Sequence, residues 1–285
     1  MKLAHFDAGS GQRVGVVKDA GIVDLQECGF EAHNILEVIE GGPDMLESIR
    51  VRTASAQPKV PISQIRLLAP IPRPGKYLAI GMNYRKHVEE AARLGIATAQ
   101  HQVWFNKQTT CITGPFDPIE PGVTEALDYE VELGLVIGRR AKNVRPEDAL
   151  QYVFGYFVAN DVSARDWQRH SPTFTMGKSF DTHGPTGPWI VTADEIPDPQ
   201  GLDLECRVNG EIRQHSNTSL MLHKIKDQIA YLSTAFTLEP ADLIATGTPE
   251  GVGAGMDPPQ FLKAGDVVRC EVAGIGAIEN VVAGA

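Results

Sequence analysis

Three acidic residues on two apolar segments are the first candidates for chemistry in this chain. In the run DYEVELGLVIG, from Asp128 to Gly138, strand alternation puts Glu130 and Glu132 on one face and Tyr129, Val131, Leu133 and Leu135 on the other. At a rise of ~3.4 Å per residue the two carboxylates stand about 7 Å apart and repel each other. An edge strand guarded by charge gives the same pattern, so the pair alone is a weak signal. Asp161 strengthens it. In FVANDVSARDWQ, from Phe157 to Gln168, it sits where an apolar strand stops, although the same position suits the cap of a helical segment at 163–168. If Glu130, Glu132 and Asp161 converge, they form an all-oxygen site suited to Mg²⁺, Mn²⁺ or Ca²⁺ and not to zinc, which prefers nitrogen and sulfur. A cation held by three carboxylates keeps positions open for substrate oxygens.

A second pair lies in GMNYRKHVEEAARLG, from Gly81 to Gly95. On a helix, His87 and Glu90 are i, i+3 neighbours. A carboxylate beside an imidazole fixes its tautomer and stabilises the imidazolium, as a general base requires. A solvated charge pair is the plain alternative. This short helix follows a strand ending in Gly81 and is placed to close over a site as a lid. Lys178, in a Gly/Pro-rich stretch ahead of a strand at 189–192, offers a compact positive charge for an enolate or carboxylate. In IATGTPEGVGAG, from Ile244 to Gly255, the glycines permit close backbone approach to a ligand. The Lys-Ser/Thr ending of a phosphate loop and its following helix are missing, which disfavours nucleotide binding.

The elements that must position these residues are mostly strands. Short strands are expected at MKLAHF, RVGVVK and GIVDL, then a helix over 34–50 broken at Gly41-Gly42-Pro43. Pro70, Pro72 and Pro74 disfavour regular structure and place a domain boundary near residue 70, between a small α+β unit (1–70) and a larger one (71–285). Strands are expected at 76–80, 130–137, 155–159, 189–192, 202–208, 242–245 and 267–272, with helices at 84–94 and 224–236. Regular βα alternation is missing, which argues against doubly wound and TIM-type sheets. The expected fold is mostly β (α+β).

The 285 residues, 42% hydrophobic and 22% charged, have ordinary globular composition. A net charge of −10 argues against nucleic acid as the main partner, since phosphate contacts need clustered Lys and Arg. No apolar run approaches the ~20 residues that cross a bilayer, and the first residues lack a signal-peptide core. A cytoplasmic protein with no membrane partner is the expectation. Cys28, Cys111, Cys206 and Cys270 lie far apart with no C-x-x-C pair, so structural zinc is disfavoured and separate thiols are expected.

Taken in order, NYRKHVEE, DYEVELGLVIG, NDVSARDWQ, GKSFD with GPTGPWIVT, LECRVNGEIRQ and IATGTPEGVG resemble the fumarylacetoacetate hydrolase family. The resemblance runs from about residue 70 to 272. It implies a mixed β-sandwich roll, usually a homodimer, preceded by a small N-terminal domain. It also implies metal ligation by Glu130, Glu132 and Asp161, and catalysis by His87 and Glu90 with Lys178. Thr248 matches the threonine of the family's glycine loop, and Arg165 and Gln168 fall near the site.

The implied cofactor is Mg²⁺, with Mn²⁺ or Ca²⁺ as alternatives. The implied reaction is hydrolytic carbon–carbon cleavage of a small 2,4-diketo acid, with His87 activating water and Lys178 supporting the departing charge. Lys107 is expected to reach a substrate carboxylate or hydroxyl, and Arg169 and His170 to add polar groups near the mouth. The whole chain is similar to bacterial members acting on sugar-derived acids such as 2,4-diketo-3-deoxy-L-rhamnonate, which yield pyruvate and a hydroxy acid. Oxaloacetate tautomerase or decarboxylase, an isomerase, and a non-catalytic metal- or ligand-binding protein of the same fold are the alternatives.

Overall fold

The structure, a computed structural model, describes residues 1–9, 11–93 and 95–284. A 12-stranded mixed sheet dominates. At its centre Val131–Ile137 and Val153–Asn160 pair antiparallel. Gly184–Thr192 lies beside the second of these and Leu243–Ala245 beside the first. Beyond Leu243–Ala245 follow Tyr77–Gly81, in parallel, and the outermost strand Val103–Lys107. A 4-stranded antiparallel sheet, in the spatial order Glu211–Asn217, Asp203–Val208, Val267–Val272, Gly276–Val281, packs across the central strands.

Burial on both faces explains why the central strands read as nearly unbroken apolar runs. Val131, Leu133, Leu135 and Ile137 belong to the core between the sheets, with Leu204, Cys206, Val268, Cys270 and Ile278. Val136, Phe157, Ala159 and Ile190 face the other way, in a core shared with Ile35, Val38 and Ile39 of the N-terminal helix Ile35–Glu40. Glu132 is therefore a carboxylate inside a fully buried strand, which sets it apart from a solvated edge residue.

The first 70 residues are hydrogen-bonded to the rest of the chain. Lys2–Asp7 pairs with Gly184–Thr192 (Lys2 opposite Val191), and Gln12–Lys18, Gly21–Asp24 and Val60–Pro61 extend the same sheet outward. The break expected inside 34–50 falls at Gly41, between Ile35–Glu40 and Gly42–Ala54. Asn34 starts the first helix by accepting the Glu37 N–H.

Several bounds differ from expectation. The strand expected from residue 130 begins at Val131, the one expected at 189 begins at Gly184, and the helix expected over 84–94 is Arg85–Arg93, with Leu94 outside the described residues. The helix at 224–236 is Ile225–Ala235. Glu211–Asn217 escaped sequence reading because it carries six polar residues in seven, EIRQHSN, on a sheet buried on one face only. The cysteines are free, but two are not separate: Cys206 and Cys270 face each other across neighbouring strands with their sulfurs 3.9 Å apart. No described helix is long and apolar enough to cross a membrane.

Candidate active site

Glu130, Glu132 and Asp161 come together as expected. One oxygen of each lies within 4.8 Å of the others, and all three residues are buried. Strand register does the assembly, since Val131 stands opposite Asn160. Glu130, in the break before Val131, donates its N–H to Asn160 Oδ1 (3.0 Å) and accepts the Asp161 N–H on its carbonyl (2.9 Å). The main chain thus clamps two of the three carboxylates across the strand ends. Asp161 does not cap the following helix: Arg165–Gln168 begins after Ala164.

Cations of the chain occupy most of the triad's outer oxygens. Lys178 Nζ bridges Glu130 Oε2 (2.7 Å) and Asp161 Oδ2 (2.6 Å). Lys107 Nζ binds Asp161 Oδ1 at 2.5 Å, and Arg165 Nη2 binds Glu130 Oε1 at 2.6 Å while its Nε binds Asp128 at 2.8 Å. Burial alone would push Glu130 up, but Lys178 and Arg165 outweigh it and hold the carboxyl down to about 2. Lys178 is likewise raised by Asp161 and Glu130 in spite of its burial. Glu132 is the exception. Its carboxylate accepts the Gly247 N–H at 2.7 Å and forms no ion pair among the described residues. Burial, then the negative charges of Asp161 and Glu130, push it well above the usual carboxylate range. Four carboxylates (Asp128 included) against three cations leave one excess negative charge when all are ionised, next to oxygens close enough to share one ion. A hard divalent cation fits this donor set.

A cavity of about 640 Å³ reaches the Glu130 end of this cluster and is lined in part by Glu130, Lys178, His87, Glu90 and Thr248. On its wall His87 Nδ1 meets Glu90 Oε2 at 3.0 Å, as the i, i+3 spacing predicts. This leaves Nε2 as the ring nitrogen free of that bond. Glu90 is held on its other oxygen by the Gly251 N–H (3.1 Å). It also fills the space beside Gly255, where an added Cβ would lie 2.2 Å from its Cδ. Asn83 ties the start of this helix to the glycine loop: its Nδ2 donates to the Thr246 carbonyl (2.7 Å) and its Oδ1 accepts the His223 N–H (2.8 Å). Gly247, at φ +100°, packs against Asn83, where a Cβ would approach to 2.6 Å. The loop's glycines therefore serve close approach within the protein as well as to the cavity.

The remaining candidates divide. Gln168 lines the cavity and accepts Arg165 Nη1 on its Oε1 (3.1 Å), so its Nε2 is the group it can offer a ligand. Thr248 lines the cavity too, but its hydroxyl donates to the Val131 carbonyl (2.9 Å) and accepts from Gln214 (2.8 Å). Lys107 is not brought to this cavity. Its ammonium is buried against Asp161, which makes it a charge partner of one member of the triad. Lys178 ends a short helix, Thr175–Lys178, where a loop was expected. Arg169 lines the cavity, whereas the His170 ring packs on Trp167 at 4.8 Å.

Three participants were missed. Asp128 accepts from Arg165 and from the Gly253 and Ala254 N–H groups, and its place at the head of DYEVE was a usable signal. Gln214 joins Val131 to Thr248 and Pro249, and Asn160 steadies Glu130. Nothing local marked either one.

Fold and site together define a mostly β protein with a cavity lined by Glu130, Lys178 and a His–Glu pair. Residues 76–283 match the fumarylacetoacetate (FAA) hydrolase C-terminal family, and the chain belongs to the fumarylacetoacetate hydrolase family. It is 43% identical over 288 residues to the mitochondrial oxaloacetate tautomerase of Xenopus laevis, covering 98% of this chain and 89% of that protein. Among solved structures it resembles fumarylacetoacetate hydrolase from Exiguobacterium antarcticum (38% identity, TM-score 0.84, 100% of both chains). It also resembles maleylpyruvate hydrolase from Sphingobium sp. SYK-6 in complex with manganese(II) and pyruvate (31% identity, TM-score 0.83, 99% of both chains). The cytoplasmic expectation draws no support from the mitochondrial relative.

Proposed function

We propose that this chain is a divalent-cation-dependent oxaloacetate tautomerase, interconverting the keto and enol forms of a 2-oxo dicarboxylic acid. The observation that carries the reading is that the His87–Glu90 pair and the Glu130 end of the triad line one cavity. The likeness to oxaloacetate tautomerases across 98% of the chain favours this chemistry over the hydrolysis of a sugar-derived diketo acid expected from sequence.

Glu130, Glu132 and Asp161 are the residues that would hold the ion, Mg²⁺ or Mn²⁺, which supplies Lewis acidity to the oxygens of a bound 2-oxo acid. His87 Nε2 takes a proton from the substrate's C3. The C3–H electron pair becomes the C2–C3 double bond, and the C2 oxygen takes up a proton from solvent or from the imidazolium. Glu90, fixed by the Gly251 N–H, keeps the imidazole in the tautomer with Nδ1–H and stabilises the imidazolium. Lys178 and Arg165 hold Glu130 ionised.

The same pair could activate water, and the resemblance to maleylpyruvate hydrolase keeps acylpyruvate hydrolysis as the second reading. Loss of the enol absorbance of oxaloacetate, followed with Mn²⁺ and with EDTA beside pyruvate release from acylpyruvates, separates them. Cation-dependent enol–keto exchange without pyruvate release supports the tautomerase. Rapid pyruvate release from an acylpyruvate, with no effect on the enol, replaces it with the hydrolase.

A further inference from the structure

The cavity's charged groups sort into engaged and unengaged ones. Glu130, Arg165 and Lys178 are tied to one another or to Asp128 and Asp161, and Glu90 is tied to His87 and Gly251. Arg169 is different. It lines the same cavity, it is exposed, and its guanidinium makes no hydrogen bond or ion pair among the described residues. It directly follows Gln168, the last residue of the helix that begins with Arg165. The helix therefore sends one arginine down to the triad and leaves the other at the cavity wall.

An exposed arginine is ordinarily only solvated. Here it stands at a cavity of about 640 Å³ in a protein with a net charge of −10, whose overall field repels an anionic ligand. A planar guanidinium with all its donors available matches a carboxylate in two parallel hydrogen bonds.

We propose that Arg169 binds the second carboxylate of the substrate, the one farther from the triad, and so makes the site selective for dicarboxylic over monocarboxylic 2-oxo acids. This rests on the reading that the 2-oxo acid end of the substrate lies toward the Glu130–Glu132–Asp161 cluster. Arg169 sets affinity and leaves the proton transfer to His87.

The test compares oxaloacetate with 2-oxobutanoate, which has the same chain with a methyl group in place of the second carboxylate. Binding to the Mn²⁺-loaded protein is measured by calorimetric titration, and oxaloacetate tautomerisation is measured separately. Wild type is expected to bind oxaloacetate about tenfold or more tightly than 2-oxobutanoate, the worth of one charge-assisted contact. Arg169→Gln, which gives up no hydrogen bond or ion pair among the described residues, removes that preference by weakening oxaloacetate alone, and shows as a raised KM with little change in kcat. Arg169→Lys restores part of it. Equal weakening of both ligands, or none, overturns the proposal even if the protein is an active tautomerase. A preference that depends on Arg169 in a protein without tautomerase activity upholds it and removes only the functional reading.

Discussion

Glu132 accepts a 2.7 Å hydrogen bond from the Gly247 N–H, and no described cation touches its carboxylate. Its neighbours Glu130 and Asp161 each have two cationic partners. The uncompensated charge of the cluster is thus concentrated on one residue inside a buried strand. Because burial and the charges of Asp161 and Glu130 raise Glu132 in the metal-free protein, folding becomes less favourable as pH rises above its ordinary value of 4.5. Glu130 works in the opposite sense: its contribution is present above 4.5 and is lost as pH falls toward about 2.

Glu132→Gln is therefore expected to stabilise the metal-free protein near neutral pH by about 1–4 kcal/mol while abolishing tight cation binding. Thermal unfolding in EDTA at roughly pH 5 and pH 8 checks this. Wild type should lose stability across that interval and the variant should lose less. A variant less stable than wild type at the higher pH would show that Glu132 is not the strained member.

Lys178→Met removes the ammonium between Glu130 and Asp161 and leaves two buried carboxylates short of charge. The expected cost is about 3–5 kcal/mol in the metal-free protein. Saturating Mn²⁺ should recover part of it, because the ion supplies charge to the same two groups. Urea unfolding with and without the ion measures both quantities, and a loss independent of Mn²⁺ would separate Lys178 from the metal site.

How much of this was legible in the sequence depends on how far apart the partners lie. Glu130 and Glu132 were placed on one face by strand alternation, and His87 with Glu90 by helical spacing, because both patterns are local. The meeting of Glu130 with Asp161, and of the triad with the His87 wall, was carried by the family's motif order. The burial of Lys107 against Asp161, 54 residues away, had no local mark. The same holds for Gln214 reaching Val131 across 83 residues and for the contact between Cys206 and Cys270. Such partners are chosen by sheet order, which alternation does not encode. A lysine beside an apolar strand reads as free until the carboxylate behind it is seen.

Gly255→Ala tests the positioning of the dyad without touching its members. The new methyl would overlap Glu90, and the flexible carboxylate yields by leaving His87. Turnover is expected to fall about 10²-fold, the scale of a misplacement of about 1 Å, with Mn²⁺ affinity unchanged. Equal activity of variant and wild type would mean that the Glu90 position is not required.

The thiols give an independent check on packing. Burial pushes Cys111 up to about 11 and raises Cys206 as well. Cys28 is the half-buried one, whereas Cys111, Cys206 and Cys270 are buried. A disulfide reagent at neutral pH should modify one thiol of the native protein quickly and all four after denaturation. Rapid reaction of Cys206 or Cys270 would contradict the packing between the sheets.

The most direct test of the account is the keto–enol exchange rate of oxaloacetate in His87→Asn, with Mn²⁺ affinity measured on the same samples by electron paramagnetic resonance. The account predicts a loss of about 10²-fold or more, the usual worth of a positioned base, at unchanged Mn²⁺ affinity. Exchange as fast as wild type, still abolished by EDTA, would contradict it and leave the ion's site as the whole of the catalyst.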